Sequence, residues 1–197
     1  MANVVSAQGF KFKSTLHGGK PSMVRCVFGS GDAVACFIGD AVKISTTGSD
    51  AAGNHMMVAQ AAAGDAILGV VVGFDKFYGV AVGSISPYTL HRPASTAMYC
   101  SVITDPGAIY EIEHNKNSGT DPVAADIGKN ASIMVGSGDT VTGMSAMELD
   151  GNTKNTTSTL SLRILRIVDR PDNTLAANAK LEVMINKSQS DTVTTGV

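Results

Sequence analysis

The chain has 197 residues, of which 44% are hydrophobic and 16% are charged, and its formal net charge is −2. A chain of this length and composition can bury a core and is too apolar for intrinsic disorder. It has no basic surplus to neutralise phosphates or an anionic membrane surface, so neither a nucleic acid nor a membrane is expected as a partner. The N-terminus lacks the charged and apolar regions of a signal peptide, so we expect synthesis and retention in a cytoplasm.

Residues 1–22 are rich in glycine and lysine and show no sustained apolar period. They nevertheless contain Phe10, Phe12 and Leu16, apolar side chains that a frayed tail does not need. We therefore predict an extended N-terminal arm over 1–22 that becomes ordered on a neighbouring subunit, with these three side chains at the interface. Deletion of the arm should abolish partner binding and leave the rest of the protein folded.

Residues 23–186 are predicted to form the body of the protein. Short runs rich in valine and isoleucine alternate there with glycine and small polar residues, a pattern typical of all-β proteins. The runs lie at 23–28, 33–38, 41–45, 66–74, 77–82, 97–104, 108–113, 131–135 and 180–186. The longest regular run, 159–169, also favours a strand over a helix. We predict a single β-barrel or a jelly-roll-like sandwich.

Three segments do not fit the strand pattern. The alanine-rich stretch 51–63 is the best place for a short helix, although Gly53 weakens it. Residues 150–159 are predicted to form a long polar loop. Residues 187–197 are predicted to be a polar C-terminal tail.

The tetrapeptide Gly-Ser-Gly-Asp occurs twice, at 29–32 and 136–139. Glycine allows positive φ, and aspartate accepts a hydrogen bond from the backbone two residues further on, so both copies predict tight turns. Neither has the third glycine of a dinucleotide-binding loop, so they are not expected to hold phosphate.

The cysteines, Cys26, Cys36 and Cys100, all lie in apolar runs, and no Cys-x-x-Cys pair occurs. They are therefore expected to be buried, reduced thiols. A nucleophile built from Cys100 and His91 is conceivable, but an apolar strand raises the pKa of a thiol.

Local motifs for catalysis or for ligand binding are missing from the sequence. There is no P-loop, no nucleophile elbow and no pair of histidines at metal-ligand spacing. Glu111, Glu113, Asp169 and Asp172 could meet around a cation, although solvated charges at strand edges are the simpler interpretation. We predict no catalytic residues, no cofactor and no metal, and a protein that is not an enzyme.

Two arginines precede prolines, Arg92 before Pro93 and Arg170 before Pro171. Proline holds the preceding residue in an extended conformation, so each arginine is fixed at a strand edge or corner. Such an arginine can clamp a carboxylate of its own chain or anchor an interface with a partner, and the sequence leaves both open.

A series of motifs recurs in order in one family of small proteins. In this chain the motifs are GDAVKI at 39–44, AAAGDAILGVVVGF at 61–74, RPASTA at 92–97, DP at 105–106 followed by YEI at 110–112, GMSAMELD at 143–150, LRIL at 162–165, RPDN at 170–173 and AK at 179–180. Over about residues 39–186 the chain thereby resembles structural proteins encoded beside the major capsid protein in tailed bacteriophages, especially short-tailed ones.

The resemblance implies a capsid decoration, or cement, protein on the outer surface of the virion, made in the cytoplasm of a host bacterium. The implied partners are the major capsid protein and further copies of the chain, as a homodimer or homotrimer. The implied function is to bridge neighbouring capsid subunits and so stabilise the capsid.

Other functions remain open at this stage. The chain could be another virion component, a head fibre base or a tail protein, present in far fewer copies than the capsid protein. It could instead be a small β-barrel hydrolase or ligand-binding protein, for which His91 and Glu111 are the first residues to test. A structural metal ion is also compatible with the decoration hypothesis.

Overall fold

The computed structural model describes residues 3–77, 90–115 and 119–190. In these ranges the chain forms thirteen strands and one 3₁₀ helix, Ala124–Asp126. The strands are β1 (Lys11–Thr15), β2 (Met23–Phe28), β3 (Cys36–Phe37), β4 (Ala41–Ser49), β5 (Met56–Gln60), β6 (Gly69–Phe77), β7 (His91–Arg92), β8 (Met98–Ile103), β9 (Ala108–Glu113), β10 (Asn130–Met134), β11 (Glu148–Asn155), β12 (Leu162–Ile167) and β13 (Lys180–Ile185). None of the helical segments in the described ranges has the length and apolarity needed to span a bilayer.

Five strands close into a small barrel in the order β2-β5-β4-β6-β8. Neighbouring strands are antiparallel except for β2 and β5, which are parallel. The barrel core contains Phe28, Val71 and the three cysteines, all of them buried. The cysteines form no disulfide bond with one another. The prediction of buried thiols is confirmed, and burial raises the pKa of the Cys26 thiol to about 11 and the pKa values of Cys36 and Cys100 well above 9.

Six strands form a second sheet in the order β1-β9-β13-β12-β10-β11. Side chains alternate across a strand, so Tyr110 and Ile112 of β9 face the buried core and Glu111 and Glu113 face the opposite side. Tyr110 pairs in register with Val183 of β13, which lies in the same core.

The barrel packs against the second sheet through residues of its own strands. Val70 of β6 and Ile103 of β8 belong to the barrel, yet they pack in the core of the six-stranded sheet. The sheets thus form one sandwich-like body, and the prediction of an all-β fold is confirmed.

The short helix predicted within 51–63 is wrong. A turn at Asp50, whose carboxylate accepts the N–H of Asn54 at 2.8 Å, leads into strand β5. Strand β5 pairs with β4 on one side and with β2 on the other, and Val58 at its centre is buried. Closure of the barrel therefore outweighs the helical propensity of alanine.

Two other local predictions concern residues 150–159 and 77–82. The first needs correction, and the second lies largely outside the described ranges. Residues 150–155 continue β11 instead of forming a loop. Strand β11 lies at the sheet edge beside β10, so it needs no apolar period. The strand predicted at 77–82 lies outside the described residues from 78 onward.

The N-terminal segment is not a detached arm, and this prediction is corrected. Strand β1 pairs with β9 of the same chain, and the preceding Phe10 is only 4% exposed, with its ring edge against Tyr110. Asn3 is also held on the body, since its amide donates to the carbonyl of Ala177 at 2.8 Å. Deletion of 1–22 would remove core packing and an edge strand, so the body would not remain intact.

The predicted C-terminal tail does not begin at residue 187. The N–H of Ile67 donates to the carbonyl of Lys187 at 2.8 Å, and the N–H of Gln189 donates back to Ile67 at 2.8 Å. Residues 187–190 are therefore part of the body, and 191–197 lie outside the described residues.

Candidate interaction surface

A groove of about 340 Å³ opens where two loop segments lie beside the short sheet β3–β7. Its lining is mostly apolar side chains and glycine backbone. The lining residues are Val34, Ala35, Phe37, Gln60, Val135, Gly136, Ser137 and Gly138. Val34 is 49% exposed and Val135 is 41% exposed, so two branched apolar side chains face solvent at one groove. Exposed apolar side chains grouped in this way are typical of a docking surface.

Each loop segment of this groove adjoins or contains one copy of the repeated tetrapeptide, and we call residues 29–35 the first loop and residues 136–143 the second loop. Gly-Ser-Gly-Asp at 29–32 precedes Val34, and the copy at 136–139 follows Val135. Asp32 accepts the N–H of Val34 at 3.0 Å, and Asp139 accepts the N–H of Val141 at 2.8 Å. The predicted aspartate turns are thus confirmed, and both contribute to one surface.

Arg92 holds the first loop in place from beneath. Its guanidinium is fully buried and donates to the carbonyls of Gly29 at 2.7 Å, Asp32 at 2.8 Å and Thr96 at 2.7 Å. It also donates to the carbonyl of Val34 and lies 3.4 Å from the carboxylate of Asp32. The backbone that carries Val34 is therefore fixed before any partner binds, which lowers the entropy cost of docking.

Phe37 forms the apolar base of the groove. Its ring stacks on the imidazole of His91 at 5.1 Å between centroids, with 11° between the ring planes. The backbone of Gly138 lies directly against this ring, and a β-carbon at position 138 would overlap it. The close approach joins the second loop to β3.

The second loop is fixed by its own hydrogen bonds and by pairing with residue 38. Asp139 accepts the N–H of Gly143 at its carbonyl and the hydroxyl of Thr142 at its carboxylate. Ile38 then donates to Gly143 and accepts from Ser145, both at 2.9 Å. The groove therefore has rigid sides from two segments about 100 residues apart in the sequence.

A buried carboxylate anchors the polar part of the groove. Asp40 accepts the N–H of Phe37 and the side-chain amide of Gln60, each at 2.8 Å. Burial raises the pKa of the Asp40 carboxyl despite these donors. The hydrogen bond to Asp40 orients the amide of Gln60. Gln60 and Ser137 contribute polar side chains to a groove whose other side chains are mainly apolar.

The structure places the predicted interface residues in different environments. Arg92 cannot be an interface anchor because it is buried and bound to its own chain, and Phe10 cannot because it is part of the core. Phe12 is half-buried, with its ring edge against Tyr110. Leu16 is 54% exposed and remains available to a partner.

Arg170 acts on its own chain, which was one of the two roles left open for it. Its guanidinium lies 3.2 Å from the carboxylate of Glu111, which also binds the ammonium of Lys13 at 3.2 Å. The side chain of Arg170 is half-buried in this ion-pair group.

The two residues singled out for possible catalysis, His91 and Glu111, do not meet, and two of the carboxylates singled out for a metal, Glu111 and Asp172, both pair with Arg170. His91 lies on β7 in the two-stranded sheet, whereas Glu111 lies on β9 in the six-stranded sheet and is committed to two cations. Glu113 pairs with the ammonium of Lys180. Over the ranges that the structure describes, no group of three or more His, Cys, Asp or Glu side chains is placed to hold a metal ion.

Sequence reasoning missed Val34 and Val135 as surface residues. The signal that could have found them is the repeated Gly-Ser-Gly-Asp, because each copy has a valine within two residues of it. Nothing in the sequence indicates that the two valines lie at the same groove.

Comparisons of the chain with protein-family models, with curated proteins and with solved structures found no match.

Proposed function

We propose that the protein is a virion structural protein that decorates a phage capsid and stabilises it by bridging neighbouring subunits of the major capsid protein. The observation that carries the proposal is the apolar groove, with Val34 and Val135 exposed on backbone that is already fixed. The choice of the capsid protein as partner rests on the resemblance of the ordered motifs to phage head proteins.

The groove suits an apolar side chain carried on an extended segment of the capsid protein. Apolar contacts at Phe37 and the two valines supply the binding energy, and the Gln60 amide offers a hydrogen bond. Each contact can be weak, because a protein that engages several sites of a symmetric shell gains by avidity.

The direct test is co-sedimentation of the purified chain with expanded capsids of the parent phage that lack decoration protein. We expect saturable binding in a simple ratio to the capsid protein, and a higher temperature of capsid disruption. A chain that stays in the supernatant at all concentrations would reject the proposed function.

The groove itself is tested by the substitutions Val34→Asp and Val135→Asp. Each places a carboxylate in an apolar contact, and we expect each to weaken capsid binding about tenfold or more. The matched control is Val123→Asp, because Val123 is 53% exposed but does not line the groove. It should bind like the wild type.

The outcomes separate the function from the surface. If the wild type and all three variants bind the capsid equally well, the decoration role stands but the groove is not the docking surface. Equal loss in Val123→Asp would show that added charge, not the groove, controls binding.

A further inference from the structure

The six-stranded sheet curls so that its edge strand β11 meets the end of β9, and His114 lies at this contact. Strand β9 is second from one edge of the sheet, and β11 forms the other edge. Immediately after β9, His114 makes an isolated parallel bridge to Leu149 of β11, and the N–H of Asn115 donates to the carbonyl of Leu149 at 3.0 Å. These two residues close the sheet.

The imidazole of His114 is fully buried, and among residues 3–77, 90–115 and 119–190 neither ring nitrogen finds a hydrogen-bond partner. A neutral ring has one N–H donor and one acceptor nitrogen, so this site leaves both unsatisfied. Unpaired buried polar groups are costly, and a charged ring in the same place costs more.

In the described part of the chain, the charged groups that act on the ring are Lys154 of β11, Asp126 of the 3₁₀ helix and Asp121 of the preceding loop. The ammonium of Lys154 is buried and lies 3.0 Å from Asp126, and it also donates to the carbonyl of Asp121 at 3.2 Å. Lys129 is a second cation on Asp126, at 2.9 Å. The Asp126 carboxylate is therefore already shared by two lysines, and the β11 charge that acts on the ring, Lys154, is positive.

We propose that His114 is an acid-sensitive latch of the six-stranded sheet: protonation of the buried ring opens the contact between the end of β9 and strand β11. The proposal is independent of the function proposed above, since it concerns how the sheet stays closed and not what the protein binds.

The direction of the pH effect follows from the folded-state pKa of the ring. Burial is the main reason that the pKa of His114 lies below its ordinary value of 6.5, and the charge of Lys154 lowers it further. The carboxylates of Asp121 and Asp126 raise the pKa without reversing the shift. Below pH 6.5 the opened chain binds a proton that the closed chain does not. Closure is therefore strongest above pH 6.5 and weakens as the pH falls towards the lowered pKa.

The amide of Asn115 reports on the latch, because its hydrogen bond to Leu149 exists only in the closed sheet. We would follow hydrogen exchange of this amide in the full chain between pH 4.5 and pH 8, corrected for intrinsic exchange. Uptake of one proton makes the opening equilibrium constant rise about tenfold per pH unit below 6.5, until the pKa of the ring in the closed state is reached. Amides of the β2–β8 ladder in the barrel should not follow this curve.

The substitution His114→Gln removes the titrating ring, so protection of Asn115 should become independent of pH between the lowered pKa and 6.5. His17→Gln is the matched control, because His17 is exposed and should leave the wild-type curve unchanged. The same pH dependence in wild type and His114→Gln would overturn the proposal.

A measurement on the wild type keeps the test decisive if the variant does not fold. The ring protons of His114 report its protonation by NMR. A midpoint below 6.5, at the pH where Asn115 loses protection, supports the latch. A midpoint at or above 6.5 rejects it.

Discussion

Replacement of Arg92 by methionine is expected to destabilise the protein by about 3–5 kcal/mol, the range for removal of one partner from a buried ionic network. Methionine fills much of the volume but donates no hydrogen bond. The carbonyls of Gly29, Asp32 and Thr96 would lose the guanidinium as a donor, and the Asp32 carboxylate would lose its cation. Urea-induced unfolding measured by circular dichroism gives the change directly.

Two further arginine variants sharpen this prediction. Arg92→Lys should rescue little, because a single ammonium cannot reach the carbonyls that the planar guanidinium spans. Arg166→Met should cause no measurable change, because the Arg166 side chain is 70% exposed although it pairs with Glu182. An Arg92→Met protein as stable as Arg166→Met would mean that the first loop is not held by Arg92.

Substitution of Gly9 by alanine is expected to cost about 2–4 kcal/mol and to loosen β1 from the body. Gly9 has φ +64°, and a β-carbon there would lie 2.5 Å from the carbonyl oxygen of Gly39 and 2.5 Å from the side chain of Ser145. Neither neighbour can move freely, since Gly39 accepts the N–H of Phe10 and Ser145 pairs with Ile38. Thermal unfolding and hydrogen exchange of β1 measure the two effects.

Gly18→Ala is the matched control for Gly9→Ala. Gly18 has nearly the same conformation, φ +70°, but no atom lies within 4 Å of a β-carbon built on it. It should therefore lose only about 1 kcal/mol, from backbone strain alone. Equal losses in the two variants would show that the N-terminal segment is not packed against residues 39 and 145.

The corrected N-terminal arm illustrates how an apolar pattern misleads when its partner lies far along the chain. Phe10 and Phe12 stand in a segment rich in glycine and lysine, so their burial requires a surface from elsewhere. That surface is Tyr110, about 100 residues later in the same chain. A single sequence does not distinguish a distant part of the chain from a neighbouring subunit.

Local patterns were sufficient for much of the fold. The runs at 23–28 and 108–113 coincide with β2 and β9, and the cysteines are buried where apolar runs predicted them. The two aspartate turns also form as predicted, because an aspartate turn depends only on residues two positions apart. Such features were open to prediction because the interactions that decide them are close in sequence.

Tertiary structure alone decided the features on which the two proposals rest. Strand β5 forms where alanine favours a helix, because barrel closure requires a strand between β2 and β4. The groove exists because Ile38 pairs with residues 143–145, and the latch exists because His114 meets β11. These contacts join residues tens to about a hundred positions apart, and their free energy comes from burial and desolvation that no local pattern records.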